Sequence, residues 1–344
     1  MTLTGFVLLY IAATIAIGVI AATRVKNTSD FALAGRSLPL PMVITATFAT
    51  WFGSETILGL PGRFIESGIA GVIEEPFGSG MALILVGTFF AHKLYKQNIL
   101  TLGDYYRDRY GRSVELLCSV AIVISYLGWV GAQVTALGLV INLITEGAVS
   151  MTTGMVIGAA VVLAYTMVGG MWSVAMTDFV QMIVIVVGLV AILWFATDLA
   201  GGMDKVVDYA RGRDLFHAFP EPTTTGWLFW ISAAMTMMIG SIPQQDVFQR
   251  VMSAKNLPTA VAGPILGGSF YILFAFVPMF IVVAAILVMP DAAEKMLSED
   301  PQQLLPTLVR DYMPMWLRVV FFGAVLSLSL IHISEPTRPI SISY

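Results

Sequence analysis

The sequence predicts an all-α protein that crosses a membrane many times. Of its 344 residues, 57% are hydrophobic and only 12% are charged, and the mean hydropathy is +0.84. An ordinary soluble domain carries about twice that share of charged residues. Apolar runs of about 20 residues, the length that a helix needs to cross the hydrocarbon core, recur along the chain. Composition and run length together therefore indicate a polytopic membrane protein.

Nine apolar segments are predicted to be membrane helices, with polar stretches between them. The first segment has no basic start, so we interpret it as a true helix and not as a cleaved signal. The segments cover residues 3–22, 39–62, 71–91, 113–143, 153–171, 176–198, 224–247, 260–289 and 314–330.

Polar residues and glycines interrupt two of these segments. In the second segment the interruption is residues 53–56, and in the seventh it is residues 240–246. Such breaks free backbone carbonyls for ions and expose half-helix ends to a solute. A kinked helix whose polar residues face its neighbours is the alternative. Because the two breaks lie five helices apart, they are typical of an inverted repeat with a binding site at the crossing.

Several other classes of protein are disfavoured. The net charge is −4 and no basic block is present, so nucleic acid is not a predicted partner. The single cysteine, Cys118, rules out a disulfide framework. No cluster of nucleophile, base and metal ligand is visible, so an enzyme is not predicted. A channel is also disfavoured, because broken helices suit occluded binding better than a continuous pore.

The basic residues predict the orientation in the lipid bilayer. If successive segments cross the membrane in opposite directions, the connections before segments two, four and eight lie on one side of it. These connections hold ten Lys or Arg residues, whereas the connections on the other side hold six. The positive-inside rule then places the first set in the cytoplasm and the N-terminus outside. We expect the plasma (cell inner) membrane.

Four motifs give the chain a specific resemblance. They are ATWFGSETILGLPG at residues 49–62, TLGDYYRDRYG at 101–111, YTMVGGMWSVAMTDFVQ at 165–181 and DVFQRVMSAKN at 246–256. In sequence and order they resemble motifs of the sodium:solute symporters. The predicted transmembrane domain is residues 1–327.

This resemblance implies an architecture and an activity. The fold would be a core of five plus five inverted helices (LeuT-type), preceded by one extra helix, with segments two and seven as core helices one and six. The activity would be symport of sodium and a small organic solute by alternating access. The implied sodium ligands include the backbone carbonyls of Ala49 and Phe52, since hard cations prefer oxygen.

Asp178 lies among apolar residues of the sixth segment. A carboxylate in a membrane is costly and indicates a function, and the matching residue of the family lies near the cation pathway. The alternative is an Asp at the end of the helix, where it would cap the sixth segment. Arg250, in the turn after the seventh segment, is predicted to bind carbonyls at a helix end.

Within the family, the chain is most similar to the high-affinity choline transporter branch. The shared pieces are ATW at 49–51, PFG at 76–78, YTMVGG at 165–170 and IP…FQRV at 242–251. That branch holds a quaternary ammonium in an aromatic cage by cation–π attraction. Trp51 and Trp129 match two walls of the cage, although packing or interface anchoring would also explain both tryptophans.

Two departures from this branch change the predicted solute. The third cage position is Gln244, which can hydrogen-bond a carboxylate, an amide or a hydroxyl. Glu75, next to Glu74, can pair with a cationic group, unless both acids merely lie at the outer membrane face. We therefore predict a solute with an amino or ammonium group, bound by Trp51, Glu75, Trp129 and Gln244. Proline, pantothenate and sugars stay open as alternatives.

The C-terminal end departs from the family pattern. Residues 316–327 resemble the start of core helix eight, but LSLIHISEPTR at 328–338 resembles the peptide encoded by a sequencing-library adapter. Residues 328–344 are therefore predicted to be a non-native tail, or alternatively a genuine polar tail. On this expectation the fold is truncated within core helix eight, and the chain alone does not transport. A membrane sensor, with the same fold joined to a C-terminal signalling domain, is the alternative function.

Overall fold

The computed structural model describes the backbone of residues 3–334, and the side chains of these residues except 161–169 and 327–334. Within that range the chain is helical, apart from turns and one isolated bridge between Leu38 and Ala254. The helices are α1 (Leu3–Ala22), α2 (Thr28–Leu33), α3 (Leu40–Trp51), α4 (Leu60–Gly71), α5 (Ile73–Gln97), α6 (Leu102–Tyr110), α7 (Arg112–Ile144), α8 (Met151–Leu199), α9 (Met203–Gly212), α10 (Thr224–Gly240), α11 (Gln245–Ser253), α12 (Leu257–Val288), α13 (Pro290–Glu299), α14 (Leu304–Tyr312) and α15 (Met315–Ser334).

Polar side chains determine where several of these helices begin. Thr101 and Asp104 form a reciprocal capping box at the start of α6. Side-chain oxygens of Ser150, Thr223 and Asn256 accept from backbone amides in the first turns of α8, α10 and α12. These bonds satisfy amides that would otherwise have no partner at a helix start.

Both predicted interruptions are confirmed. α3 ends at Trp51 because Phe52 leaves the helical region with ψ 84°, and a π-helical turn, Glu55–Gly59, then leads into α4. α10 and α11 are separated by four residues and meet at an angle of 45°.

The nine predicted segments coincide with helices, halves of α8 or these broken pairs. The fifth and sixth segments are the two halves of α8, which is divided at Gly170 with φ 57° and ψ 177°. Among the described residues, five helices are long and apolar enough to cross a membrane, or six if the α10–α11 pair is one span. α3 is shorter because the break divides its segment. α15 includes residues 328–334 of the predicted tail, and residues 335–344 lie outside the described residues.

α12 lies at the centre of the bundle, where it packs against α3 and α5. Glycines allow this close approach. A Cβ added to Gly263 would lie 2.3 Å from Val43 Cγ1, and one added to Gly268 would lie 2.5 Å from the Gly80 carbonyl oxygen. α8 packs against α1, α7 and α15 on another side of the bundle. α3 is therefore held between α12 and α8, the helix that bears Asp178.

Candidate functional site

A cavity of about 190 Å³ lies at the break between α3 and α4. α3 supplies its last residue, α5 supplies two acids from its first turn, and α7 and α10 complete the wall. The lining residues are Trp51, Gly53, Glu55, Arg63, Glu74, Glu75, Trp129, Gln133 and Met237. We call this the inner cavity. The structure thus brings together three of the four predicted solute-binding residues, namely Trp51, Glu75 and Trp129.

The inner cavity is acidic and has aromatic walls. Three carboxyl groups, those of Glu55, Glu74 and Glu75, face one guanidinium, that of Arg63. With all four groups ionised, the lining has a formal charge of −2. Carboxylates and indole faces both attract cations. The lining therefore suits a small cationic group better than an anion.

Hydrogen bonds hold Glu75 in place. The phenol of Tyr271, on α12, donates to Glu75 Oε1 at 2.5 Å. The hydroxyl of Thr56 lies 3.2 Å from the same oxygen and 3.1 Å from the Tyr271 oxygen. Tyr271 and Thr56 are both fully buried, whereas Glu75 is half-buried at the cavity. Three separate helical segments thus meet at this one carboxyl group.

Two further polar groups belong to the cavity wall, one with a hydrogen-bond partner and one without. Ser54 donates to the side-chain oxygen of Gln133 at 2.6 Å, which ties the break to α7. The Trp51 indole nitrogen is buried and has no hydrogen-bond acceptor among the described residues. An N–H group in this situation is costly unless an acceptor reaches it.

A second cavity, of about 400 Å³, adjoins the first and shares Glu55, Arg63, Glu75 and Gln133 with it. It extends past α4 to Pro301 and Gln302, in the connection between α13 and α14. We call it the outer cavity. The two cavities together form a path from the break in α3 to the end of the bundle where residues 290–313 lie.

Side-chain contacts of α11 join the helices at the opposite end of the bundle. Arg250 is 1% exposed and donates to the carbonyls of Ala46, at 2.8 Å, and Asp246, at 3.0 Å. Tyr126 on α7 donates to Asp246 at 2.8 Å, and the Leu102 amide donates to Gln245 at 2.8 Å. Arg250 thus binds carbonyls as predicted, but the Ala46 carbonyl lies in the middle of α3 and not at a helix end.

Of the two predicted sodium ligands, Phe52 lies at the break and Ala49 lies in the last turn of α3. Among the described residues, none donates a hydrogen bond to the Phe52 carbonyl, and the Gly53 amide donates instead to the Trp51 carbonyl at 2.9 Å. Ala49 precedes the break by one turn, within α3. Backbone oxygens at a broken helix fit a hard cation. The donor chemistry of this region is therefore suited to sodium.

Asp178 lies within the second half of α8, where it is 1% exposed. The alternative interpretation as a helix cap was wrong, because this half of α8 begins directly after Gly170, two turns before Asp178. The apolar run had placed the start of the segment too late, at residue 176. The buried polar residues Thr177 and Gln181 lie beside Asp178 on the helix.

Gln244 is not brought to either of these two cavities. It is half-buried and occupies the position before α11, after the 45° bend. Four residues at the two cavities or beside Glu75 were not among the predicted site residues, namely Tyr271, Thr56, Gln133 and Arg63. Gln133 could have been found, since it is a polar residue within the apolar fourth segment. Tyr271 gives no such signal, because one tyrosine in an apolar run is ordinary.

Comparison with known proteins identifies the family. The model of the sodium:solute symporter family matches residues 31–334. The chain belongs to this family. The predicted family membership is thereby confirmed. Two of the four sodium:solute symporter motifs lie at the described contacts: one at the break of α3, beside the inner cavity, and one around α11, at the opposite end of the bundle.

Among the relatives of this symporter-family chain are the high-affinity choline transporters 1 of Caenorhabditis elegans and Homo sapiens. Each is 28% identical to this chain. The match covers 87% of this chain and 52% of the Caenorhabditis elegans protein, and 90% of this chain and 55% of the Homo sapiens protein. The sodium/glucose cotransporter 4 of Danio rerio is 27% identical over 80% of this chain and 45% of the relative. The chain thus spans about half the length of the curated relatives it matches.

The structure of a Na⁺-coupled sialic acid symporter in a substrate-bound outward-open state matches 98% of this chain and 71% of that chain. The TM-score is 0.82 and the sequence identity is 18%. The predicted fold class, an inverted-repeat symporter core of helices, is confirmed by this match. α1 is then the extra helix, and α3–α4 and α10–α11 are the first and sixth core helices. The protein is an integral membrane protein, and its family and the relatives named above are transporters, not enzymes.

Proposed function

We propose that the protein is a secondary active transporter that moves sodium and a small amine- or ammonium-bearing organic solute together by alternating access. The observation that supports this most is the inner cavity, where three carboxyl groups and two tryptophans surround the break of the first core helix. A cation is attracted both by the carboxylates and by the indole faces. The choline transporters among the relatives are consistent with this class of solute.

Each predicted site residue except Gln244 has a role in this proposal. Trp51 and Trp129 flank the cationic group and Glu75 pairs with it. The backbone carbonyls of Ala49 and Phe52 bind sodium, and Asp178 lies on the cation pathway.

The arrangement of the cavities supports an outward-facing state. The outer cavity reaches the connection of residues 290–313, which the charge distribution places outside the cell. The contacts of Arg250 and Asp246 lie at the other end, which the same rule places in the cytoplasm. We propose that the protein lies in the plasma (cell inner) membrane with its N-terminus outside.

Uptake into proteoliposomes tests the proposed function. The full-length gene product is reconstituted and given labelled choline, betaine, proline or glucose, with an inward gradient of sodium or of potassium. We expect the sodium gradient alone to drive uptake of at least one of the first three solutes, and a sodium ionophore to abolish it. Uptake that is equal in sodium and potassium, or that is confined to glucose, would contradict the proposal.

A further inference from the structure

The inner cavity and the break of α3 are joined by a chain of three side chains, which we call the Glu75–Tyr271–Thr56 link. Tyr271 donates to Glu75 Oε1 at 2.5 Å, and Thr56 lies within hydrogen-bond distance of both. The Thr56 hydroxyl also donates to the Trp51 carbonyl at 3.0 Å. Trp51 is the last residue of α3, and the next carbonyl along the chain is that of Phe52.

In this link, the Trp51 carbonyl and the Glu75 carboxylate compete for the hydroxyl proton of Thr56. A threonine hydroxyl has one proton to donate, whereas a carbonyl and an ionised carboxyl only accept. The Tyr271 proton is already given to Glu75. Thr56 therefore gives its proton either to the Trp51 carbonyl or to Glu75. Because Thr56 and Tyr271 are 0% exposed, bulk water does not reach their hydroxyl groups, whereas Glu75 lines both cavities.

The ring of Tyr271 is fixed independently of its hydroxyl group. It makes edge contacts with Phe48 and Phe52, each with centroids 6.3 Å apart. These two rings belong to the last turn of α3 and to the break. A change at the phenol oxygen can thus be separated from the packing of the ring against the broken helix.

We propose that Tyr271 and Thr56 are positioning residues that couple solute binding at Glu75 to cation binding at the break, an inference that rests on the proposed function. A cationic group beside Glu75 satisfies the carboxylate, so Thr56 donates to the Trp51 carbonyl. That bond orients the Trp51–Phe52 peptide and, with it, the Phe52 carbonyl. Without solute, Glu75 competes for the Thr56 proton and the peptide is held less firmly.

Such coupling has a thermodynamic measure. If each of solute and sodium strengthens binding of the other, the ratio of the solute Kd without sodium to the solute Kd with saturating sodium exceeds one. By linkage, this ratio equals that of the sodium Kd without solute to the sodium Kd with saturating solute. A residue that only shapes the solute pocket changes both Kd values by the same factor. A residue of the link changes their ratio. The ratio therefore separates the two roles.

The test measures choline binding to the purified full-length gene product in nanodiscs, with sodium or with potassium; betaine and then proline are used if choline does not bind. The variants are Tyr271→Phe, which keeps the ring, and Thr56→Val, which keeps the shape, with Thr56→Ser to restore the hydroxyl. Ser269→Ala on α12 and Thr45→Val on α3 are matched controls, since Ser269 donates to Ile265 of its own helix and Thr45 to Pro41.

We expect Tyr271→Phe and Thr56→Val to reduce the ratio about tenfold, since they remove hydrogen bonds at a charged group. Thr56→Ser and both controls keep the wild-type ratio. An unchanged ratio in folded Tyr271→Phe and Thr56→Val overturns this inference alone. Equal loss of affinity with and without sodium also overturns it. If the wild-type protein binds none of the three solutes in a sodium-dependent way, the proposed function fails, and the inference with it.

Discussion

The Nε atom of Arg250 donates to the carbonyl oxygen of Ala46 at 2.8 Å, across 204 residues of sequence. Ala46 lies in α3 and Arg250 in α11, so one buried guanidinium joins the two broken helices. The same side chain donates to the Asp246 carbonyl in the first turn of α11. The two broken core helices are thus fastened together at one end of the bundle, and the inner cavity lies between Trp51 of one and Met237 of the other.

Replacement of Arg250 should destabilise the folded protein. Arg250→Met keeps much of the side-chain volume but leaves two buried carbonyls without these donors. Loss of such buried, charge-assisted bonds costs about 2–5 kcal/mol. We expect a clear fall in the thermal unfolding midpoint in detergent. Arg211→Met is the control, because the Arg211 side chain is 71% exposed and its ion pair with Asp208 is long, at 3.9 Å. Equal midpoints for the two variants would contradict the prediction.

Glycine substitutions should have opposite effects on α12 and α7. Gly268→Ala on α12 places a methyl group 2.5 Å from the Gly80 carbonyl oxygen, and backbone cannot rotate away as a side chain does. Overpacking of this kind costs about 1–3 kcal/mol. Gly128→Ala on α7 meets no atom within 4 Å and gains helix propensity. We expect a lower unfolding midpoint for Gly268→Ala and an equal or higher one for Gly128→Ala. A fall of similar size in both variants is the outcome that argues against close α5–α12 packing.

The architecture was predictable because membrane helices can be recognised from the local composition of the sequence. Long apolar runs give the spans, and glycine or polar residues inside a run give the breaks, since both features are local. The interruption after Trp51 and the one after Gly240 were found in this way. The start of the second half of α8 was placed too late, because residues 172–175 were interpreted as a connection between two apolar runs, whereas the structure buries Ser173, Val174 and Ala175 within the helix.

The site was predictable only in part, since it depends on which faces of distant helices meet. Glu75, Trp51 and Trp129 stood out as residues at motif positions, and the structure brings them to one cavity. Gln244 was assigned by its place after an Ile-Pro pair, but the direction of the 45° bend decides where its side chain lies. The partnership of Tyr271 with Glu75, 196 residues earlier, has no counterpart in local sequence.

Trp129 should contribute more to solute affinity than Gln244. Trp129 lines the inner cavity, and its ring makes an edge contact with Tyr126 at 6.3 Å, which helps to fix its orientation. A cation–π contact is worth about 0.5–2 kcal/mol, so Trp129→Ala should weaken binding of an ammonium-bearing solute by about 2- to 30-fold. Trp129→Phe should retain part of the affinity, and Gln244→Ala should lose less than Trp129→Ala. Competition binding in sodium measures all three. A larger loss of solute affinity for Gln244→Ala than for Trp129→Ala would contradict this prediction and indicate that Gln244 contacts the solute.

Tyr95 should help to keep the α11 end of the bundle closed. Its hydroxyl donates to the Ala254 carbonyl at 2.8 Å, just after α11, and the Arg36 guanidinium stacks on its ring at 3.9 Å and donates to its carbonyl at 2.7 Å. Ser253, which precedes Ala254, is fully buried.

Maleimide labelling tests this closure. In a Cys118→Ser background, the thiol introduced by Ser253→Cys should react slowly with a maleimide, because position 253 is buried. Adding Tyr95→Phe removes one bond of this closure and should speed the reaction several-fold, because the opened state becomes more populated. Adding Tyr110→Phe, at an exposed tyrosine of α6, should leave the rate unchanged. If Tyr95→Phe also leaves it unchanged, the hydroxyl bond does not hold this end closed, and the contacts of Arg250 and Asp246 suffice for that role.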